Sequence, residues 1–350
     1  MVDRWKRGYA LVPADEFVDG SGAAVLNGMA DAIAPWAVRV AATLRLADRL
    51  KGGPRSAAAL AAESGADEDA LRRLLRYLAC RGVFAERAPG EFALNDAAEP
   101  LLGDHPMGLR IWLDLDGLGG RFDAVYATGL LETVRTGRAS YASVHGRPFW
   151  DDLEALGKTE LFDRMMGSDA AMWVPEVATE YDWGSVRRVT DVGGGNGTLL
   201  KGLLDAHSHL RGTLVDLPGT VENARATLAG LAERVSFAPG SFFDTLPAGS
   251  DVYVLAHVLH DWDDSDAQQI LSRCAAAAEP QGRVLVVDRT GTSEDDLLEF
   301  TEMDVQMMVL FGAKERTEAE FADLASSAGL VLRSATSLGA GLAMLEFVPR

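Results

Sequence analysis

Through the second half of the chain, short apolar runs alternate with stretches whose apolar residues recur at helical spacing. The runs around 189–192 (VTDV), 213–216 (TLVD), 234–240 (RVSFAPG), 251–256 (DVYVLA) and 283–290 (RVLVVDRT) read as strands. Helices are predicted after the first of these, where Leu199, Leu200, Leu203 and Leu204 share one side, and over about 219–233, 265–278, 294–311 and 317–328. Two last runs, VLRSATSL and GLAMLEFVP, read as strands that could form a hairpin. Strands alternating with helices imply a mainly parallel sheet covered on both faces, here of seven strands, in a doubly wound α/β fold. Ligands in such sheets bind beyond the C-terminal strand ends. Asp216, Ser241–Phe242, Ala256–His260 and Asp288 fall at such ends.

The first half is helical. From Gly22 to Leu50 apolar residues keep helical spacing, with a break expected near Pro35. Ser56 can cap a short helix, 65–67 (GAD) makes a turn, and Asp67 starts a helix with Leu71, Leu74, Leu75 and Leu78 on one face, ended by Gly82. Residues 83–95 (VFAERAPGEFALN) then read as a hairpin around Pro89-Gly90. Together these form a winged helix–turn–helix. From Pro106 to Met172 the pattern is helical again and rich in Trp, Phe and Met, side chains that can line an aromatic pocket or simply fill a core. The pattern predicts a mobile arm over 1–20, a winged-helix module over 21–104, a helical linker over 105–178 and a ligand-binding α/β domain over 179–350.

Composition narrows the choices. The 350 residues carry a formal charge of −19 and only two cysteines, Cys80 and Cys274. So acidic a chain repels nucleic acid and anionic membranes unless its basic residues cluster, and no cluster is evident. The winged helix therefore reads better as a packing or dimerisation module than as a DNA reader, because Asp67, Glu68 and Asp69 stand against Arg72, Arg73 and Arg76 on the candidate recognition helix. Two cysteines give no disulfide framework or metal set and suit a reducing cytoplasm. The segment Ala23–Leu44 is interrupted by Asp31, Pro35 and Arg39 and makes a poor membrane span.

Candidate chemistry begins at Val186–Asp216. An acid, Asp191, closes a strand; the turn Gly193-Gly194-Gly195-Asn196-Gly197 follows; a helix and a second strand then end on Asp216. Glycines permit a sharp turn and close approach of a ligand. An acid at the second strand end can accept both hydroxyls of a ribose. The spacing is DxGxGxG rather than the GxGxxG of dinucleotide binders, and an acid two residues before the first glycine would repel a pyrophosphate. It suits the ammonium of S-adenosylmethionine, which also carries a ribose and no phosphate.

His260 stands in His257-Val258-Leu259-His260-Asp261-Trp262, just past a strand end. A histidine there is poised to take a proton from a phenol, with carboxylates orienting the ring; Asp288 and Glu315 are expected to be those carboxylates. His257 is expected in the pocket wall rather than as a second base. No set of His, Cys and carboxylates has metal-ligand spacing, and there is no nucleophile elbow.

In this order, DVGGGNG, LVDLP, GSFFD, HVLHDWDD and GAKERTEAEF resemble the small-molecule O-methyltransferases of the caffeate type, over about residues 25–350. WAVRVAATLRLADRL and RTGRASYASVHGRPFWDDL are similar to the actinobacterial subgroup that methylates aromatic polyketides, of the carminomycin 4-O-methyltransferase kind. The resemblance implies a Rossmann-like methyltransferase domain, an N-terminal winged-helix dimerisation domain and a homodimer. It makes His260 the catalytic base flanked by Asp288 and Glu315. Gly193 would lie against the methionine part of the cofactor, Asp216 would bind the ribose and the Ser241–Phe242 pair would border the adenine, with Asp191, Gly195, Leu217, Ala256 and Trp262 among its other contacts. Trp150, Phe162, Met165, Met166, His257, Met303, Met307 and Phe311 would line an aromatic acceptor. Three positions depart from the family: Ser241 where an Asp is common, Ala256 where many members have Lys, and Asp288 where Glu is usual. A same-fold enzyme doing hydroxylation or decarboxylation, and a ligand-sensing regulator, remain alternatives.

Overall fold

The computed structural model describes residues 22–291, 296–339 and 341–350. The arm expected over 1–20 and the expected start of the long helix at 294 lie outside them. The chain divides into two compact units, residues 1–120 and 121–350. The segment 105–178, read from the sequence as one linker, is shared between them.

In the first unit α1 (Gly22–Met29), α2 (Ala34–Thr43) and α3 (Leu46–Leu50) precede the winged helix. The break expected near Pro35 falls at residues 30–33. Pro35 sits in the first turn of α2, where its missing N–H is no loss, and Asp31 Oδ1 accepts from the N–H groups of Ile33 and Ala34. The strand β1 (Arg55–Ser56) leads into α4 (Ala57–Ser64), then α5 (Glu68–Cys80), β2 (Ala85–Ala88), β3 (Glu91–Ala93) and α6 (Leu109–Leu113). Both caps read from the sequence are present: Ser56 Oγ accepts from Ala59 N–H at 3.2 Å and Asp67 Oδ1 from Ala70 N–H at 2.9 Å. The sheet order is β1-β3-β2. On α5, Arg72 pairs with Asp69 and Arg76 with Glu86 at 3.2 Å, so the helix face offers little free positive charge.

The second unit opens with α7 (Leu118–Thr136), which begins at the boundary, α8 (Tyr141–His145), α9 (Phe149–Ala155) and α10 (Thr159–Glu180). Then come β4 (Arg188–Val192), α11 (Thr198–Ala206), β5 (Arg211–Asp216), α12 (Pro218–Thr227), β6 (Val235–Pro239), β7 (Val252–Ala256), α13 (Asp264–Ala278), β8 (Arg283–Arg289), α14 (Leu297–Phe311), α15 (Glu318–Ser327), β9 (Leu330–Ser337) and β10 (Leu342–Pro349). The seven strands lie in the order β6-β5-β4-β7-β8-β10-β9. All pairs are parallel except those of β10, which runs antiparallel to β8 and to β9. The expected terminal hairpin is therefore present and completes the sheet edge.

Strand periodicity divides the core. Val252, Val254, Leu285 and Val287 pack on one face against Leu199, Leu203 and Val177, whereas Tyr253, Leu255, Val284 and Val286 pack on the other against Ile270, Leu271 and Phe321. The strands are apolar on both faces because helices cover both. The order reverses direction at β4, so the ends of β4, β5 and β7 leave the crevice that such sheets use for ligands.

Candidate active site

The turn after β4 takes left-handed backbone angles three times: φ is 72° at Gly193, 55° at Gly195 and 82° at Gly197. At Gly193 space also demands glycine, since a Cβ would stand 2.8 Å from Val258 Cγ2 and 3.5 Å from the Phe242 ring. The glycine turn, the loop after β7 and the loop at 241–243 thus converge at one edge of the sheet. Gly195 N–H donates to Asp216 Oδ2 at 2.8 Å and Leu217 N–H to Asp216 Oδ1 at 2.7 Å, which ties the end of β5 to the same turn.

Asp191 is 2 % exposed, and its Oδ2 has no hydrogen-bond partner. Burial, followed by the nearby charge of Asp216, pushes its pKa up to about 7. A buried carboxylate left without a donor beside a glycine cradle fits a ligand that brings a cation to it. Burial also raises the Asp216 carboxyl, against the two backbone N–H groups that favour its charge.

A third acid escaped the sequence reading. Asp163 on α10 is buried and accepts from Asn223 Nδ2 on α12 at 2.7 Å. Burial, opposed by that bond and aided by Asp216, raises its pKa to about 6. One turn further on, α10 runs so close to the glycine turn that a Cβ on Gly167 would collide with the Asn196 side chain. Nothing in the local pattern marks Asp163; only the packing of α10 brings it here.

His260 lies in the 3-10 turn Leu259–Asp261 beyond β7. His257, two residues before that turn, has φ of 52°, an uncommon angle for a residue other than glycine, while its N–H still donates to the Val287 carbonyl at 3.0 Å. His260 Nδ1 lies 2.9 Å from Glu315 Oε1 and 3.3 Å from Asp288 Oδ1. All three side chains are buried. Asp261 Oδ1 is 3.6 Å from Nε2, too far for a hydrogen bond but close enough to act by its charge. Burial disfavours the imidazolium, but Asp288, Glu315 and Asp261 together outweigh it and hold the His260 pKa well above its ordinary value. Asp288 is held below the usual carboxylate range because His260 outweighs the effect of burial. Burial prevails at Glu315, whose pKa is raised. Burial also lifts Asp261 to about 7, against the pull of His260.

The His257 ring stacks on Trp173 at 5.1 Å and meets His260 edge-on at 5.3 Å. Burial, with Asp288 opposing, lowers its pKa to about 4, so at neutral pH it is an uncharged wall of the site. The donor atoms of His257, His260 and Asp288 lie within 4.8 Å of one another, a grouping that could hold a cation. Sequence spacing did not suggest it, because the third member comes from the neighbouring strand. At His260, Nδ1 is engaged by Glu315.

The structure brings part of the expected aromatic pocket together. Trp150 lies 5.5 Å from Phe162 and stacks on Phe311 at 6.0 Å. Their hub is Phe149, one of the aromatic residues of the helical stretch 106–172, 4.9 Å from Trp150, 5.3 Å from Phe162 and 5.2 Å from Phe311. Met165 and Met307 are buried, whereas Met166 on α10 and Met303 on α14 keep some exposure. Phe242 and Trp262 meet edge-on at 5.7 Å. Ser241 Oγ accepts from Phe243 N–H at 3.2 Å and so helps to hold its own turn. Ala256 is the last residue of β7, opposite Val287.

Residues 128–331 match the model of the O-methyltransferase domain, and residues 27–104 that of the O-methyltransferase dimerisation domain. The chain is 43 % identical over 313 residues to 2,7-dihydroxy-5-methyl-1-naphthoate 7-O-methyltransferase of Streptomyces carzinostaticus, covering 89 % of this chain and 93 % of that protein. It is 42 % identical over 352 residues to aclacinomycin 10-hydroxylase RdmB of Streptomyces purpurascens, covering 97 % and 93 %. Among solved structures it resembles the O-methyltransferase NcsB1 from neocarzinostatin biosynthesis, in complex with S-adenosylmethionine and 2-hydroxy-5-methyl naphthoic acid. There the TM-score is 0.85 at 41 % identity, covering 93 % of this chain and 98 % of that one. No helix among the described residues is long and apolar enough to cross a membrane. With both domain models matched in order and the glycine turn and histidine cluster at one sheet edge, the chain belongs to the S-adenosylmethionine-dependent O-methyltransferase family.

Proposed function

We propose that the acceptor is a hydroxyl on an aromatic, polycyclic polyketide-like natural product, and that His260 is the base. The observation that carries this reading is the His260 ring, held at Nδ1 by Glu315 beside Asp288, at the sheet edge where the glycine turn closes. With Nδ1 engaged, Nε2 is the atom left to take the hydroxyl proton, and the two carboxylates balance the charge that forms. When bound, S-adenosylmethionine supplies a methyl group activated by a positively charged sulfur. Asp191, Gly193 and Gly195 would hold its methionine end, Asp216 and Leu217 the ribose, and Ser241, Phe242, Ala256 and Trp262 the rest. Trp150, Phe162, Met165, Met166, His257, Met303, Met307 and Phe311 would wall the acceptor, and the packing of Trp150, Phe162 and Phe311 around Phe149 supports a flat aromatic guest. Holding the acceptor oxygen in line with the methyl provides most of the acceleration.

The experiment is incubation with S-adenosylmethionine and a panel of hydroxylated naphthoates and larger polyketides, followed by mass measurement. A gain of one methyl group on oxygen supports the reading. A gain of one oxygen atom instead would make the chain a hydroxylase, as the name of the RdmB relative describes that protein.

The working form is proposed to be a cytoplasmic homodimer that uses no nucleic acid or membrane partner. In support, α1 and α2 expose Val25, Leu26, Met29 and Trp36, with Ile33 between them, more apolar surface than a small lobe usually leaves to water. Light scattering at micromolar concentration tests this, with a monomer counting against it.

A further inference from the structure

Glu315 belongs to the stretch GAKERTEAEF, and its neighbour Arg316 has no role in the reading above. Arg316 is 1 % exposed, an unusual place for a guanidinium. Its Nη1 donates to the Leu259 carbonyl at 2.7 Å and its Nη2 to the Trp262 carbonyl at 2.8 Å. Nε and Nη2 both reach Asp264 Oδ1, at 3.0 and 2.9 Å. Leu259 opens the 3-10 turn that carries His260, and Trp262 closes it. One planar fork thus grips both ends of the turn, while the adjacent Glu315 grips the ring within it.

The segment bearing the two residues is itself fixed. Glu315 N–H donates to Asp304 Oδ1 on α14 at 3.0 Å. Thr317 and Glu320 form a reciprocal capping box that starts α15 just beyond Arg316. A guanidinium suits the task because its donors diverge at fixed angles, whereas an ammonium cannot span both carbonyls. Burying that charge carries a desolvation penalty, which its hydrogen bonds offset.

We propose that Arg316 is a positioning residue for methyl transfer: it sets the turn so that Nδ1 of His260 meets Glu315 and Asp288 and Nε2 faces the acceptor. This rests on His260 being the base, but part of the test does not. The His260 ring is followed by NMR titration in the wild type and in Arg316→Lys, which keeps the charge and loses the fork. With the turn loosened, His260 moves from its carboxylates and its titration shifts to lower pH. Turnover is expected to fall by about 10²-fold, the scale of a misplaced catalytic group, with the cofactor Kd within a few-fold of wild type. Asp264→Ala, at an exposed position, is expected to shift both readouts the same way by less. If His260 titrates as in the wild type in both variants, or if Arg316→Lys loses cofactor binding as fully as turnover, Arg316 is merely structural and the proposal falls. A shifted titration with no change in turnover would instead leave Arg316 in place and reject His260 as the base.

Discussion

His260 and Glu315 stand 55 residues apart in the chain, yet Nδ1 and Oε1 are 2.9 Å apart in the fold. The bond settles which ring nitrogen is occupied and which remains for chemistry. The charges of Asp288, Glu315 and Asp261 together raise the His260 pKa against its burial. With His260 as the proposed base, turnover requires a neutral Nε2 and is expected to rise with pH through the raised His260 pKa. The stabilisation this cluster gives the fold runs the other way. It is complete below the ordinary histidine pKa of about 6.5 and is lost as pH rises through the folded-state value.

Glu315→Gln removes one of the charges that favour the imidazolium. The acid limb of the turnover profile is expected to move to lower pH, and the alkaline plateau to fall by roughly 10- to 10²-fold as the ring loses its orientation. A profile measured from pH 6 to pH 10 checks this, and an unmoved limb would remove Glu315 from the account.

Asp191, proposed to meet the cofactor, is buried at a cost in stability. Its carboxyl rises from 3.8 to about 7 on folding, so the folded state disfavours its charge. The sign follows: its contribution is most favourable below the unfolded pKa and is lost as pH rises through about 7. Asp191→Asn is expected to raise the Tm of the cofactor-free protein at pH 8, by up to about 4 kcal/mol in stability, and to bring no gain near pH 3. The same variant is expected to bind S-adenosylmethionine far more weakly, as calorimetry would read. A lowered Tm at pH 8 would contradict the assignment.

Gly193→Ala meets both a positive φ and the Val258 methyl at 2.8 Å. The expected loss is about 1–3 kcal/mol in stability, with cofactor binding weakened because the turn must shift. Gly219→Ala is the control, since nothing lies within 4 Å of its added Cβ. Equal melting temperatures for the two variants would be evidence against a tightly closed turn.

The grouping of His257, His260 and Asp288 makes metal dependence a fair question. Exhaustive dialysis against EDTA is expected to leave turnover unchanged. Loss of activity that a divalent ion restores would replace the proton-transfer account with a metal-assisted one.

How much of this was legible depended on distance along the chain. The glycine turn with Asp191 and Asp216 was readable because one strand–turn–helix–strand unit contains it. The seven strands were readable from their apolar runs, and the winged helix from Ser56, Asp67 and Pro89-Gly90. The Glu315 pairing needed the family resemblance, since no local pattern links residue 315 to residue 260. Asp163 and Arg316 stayed hidden because helix and loop packing, not periodicity, brings them to the site. Pro35 marked the break just before it, because a proline in a first helical turn starts a new helix.

The account stands most directly on His260→Ala, assayed with the acceptor found in the panel and with cofactor affinity measured in parallel. Turnover is expected to fall by about 10²- to 10⁴-fold, while the Kd for S-adenosylmethionine stays within a few-fold of wild type. Turnover at the wild-type level would contradict the account.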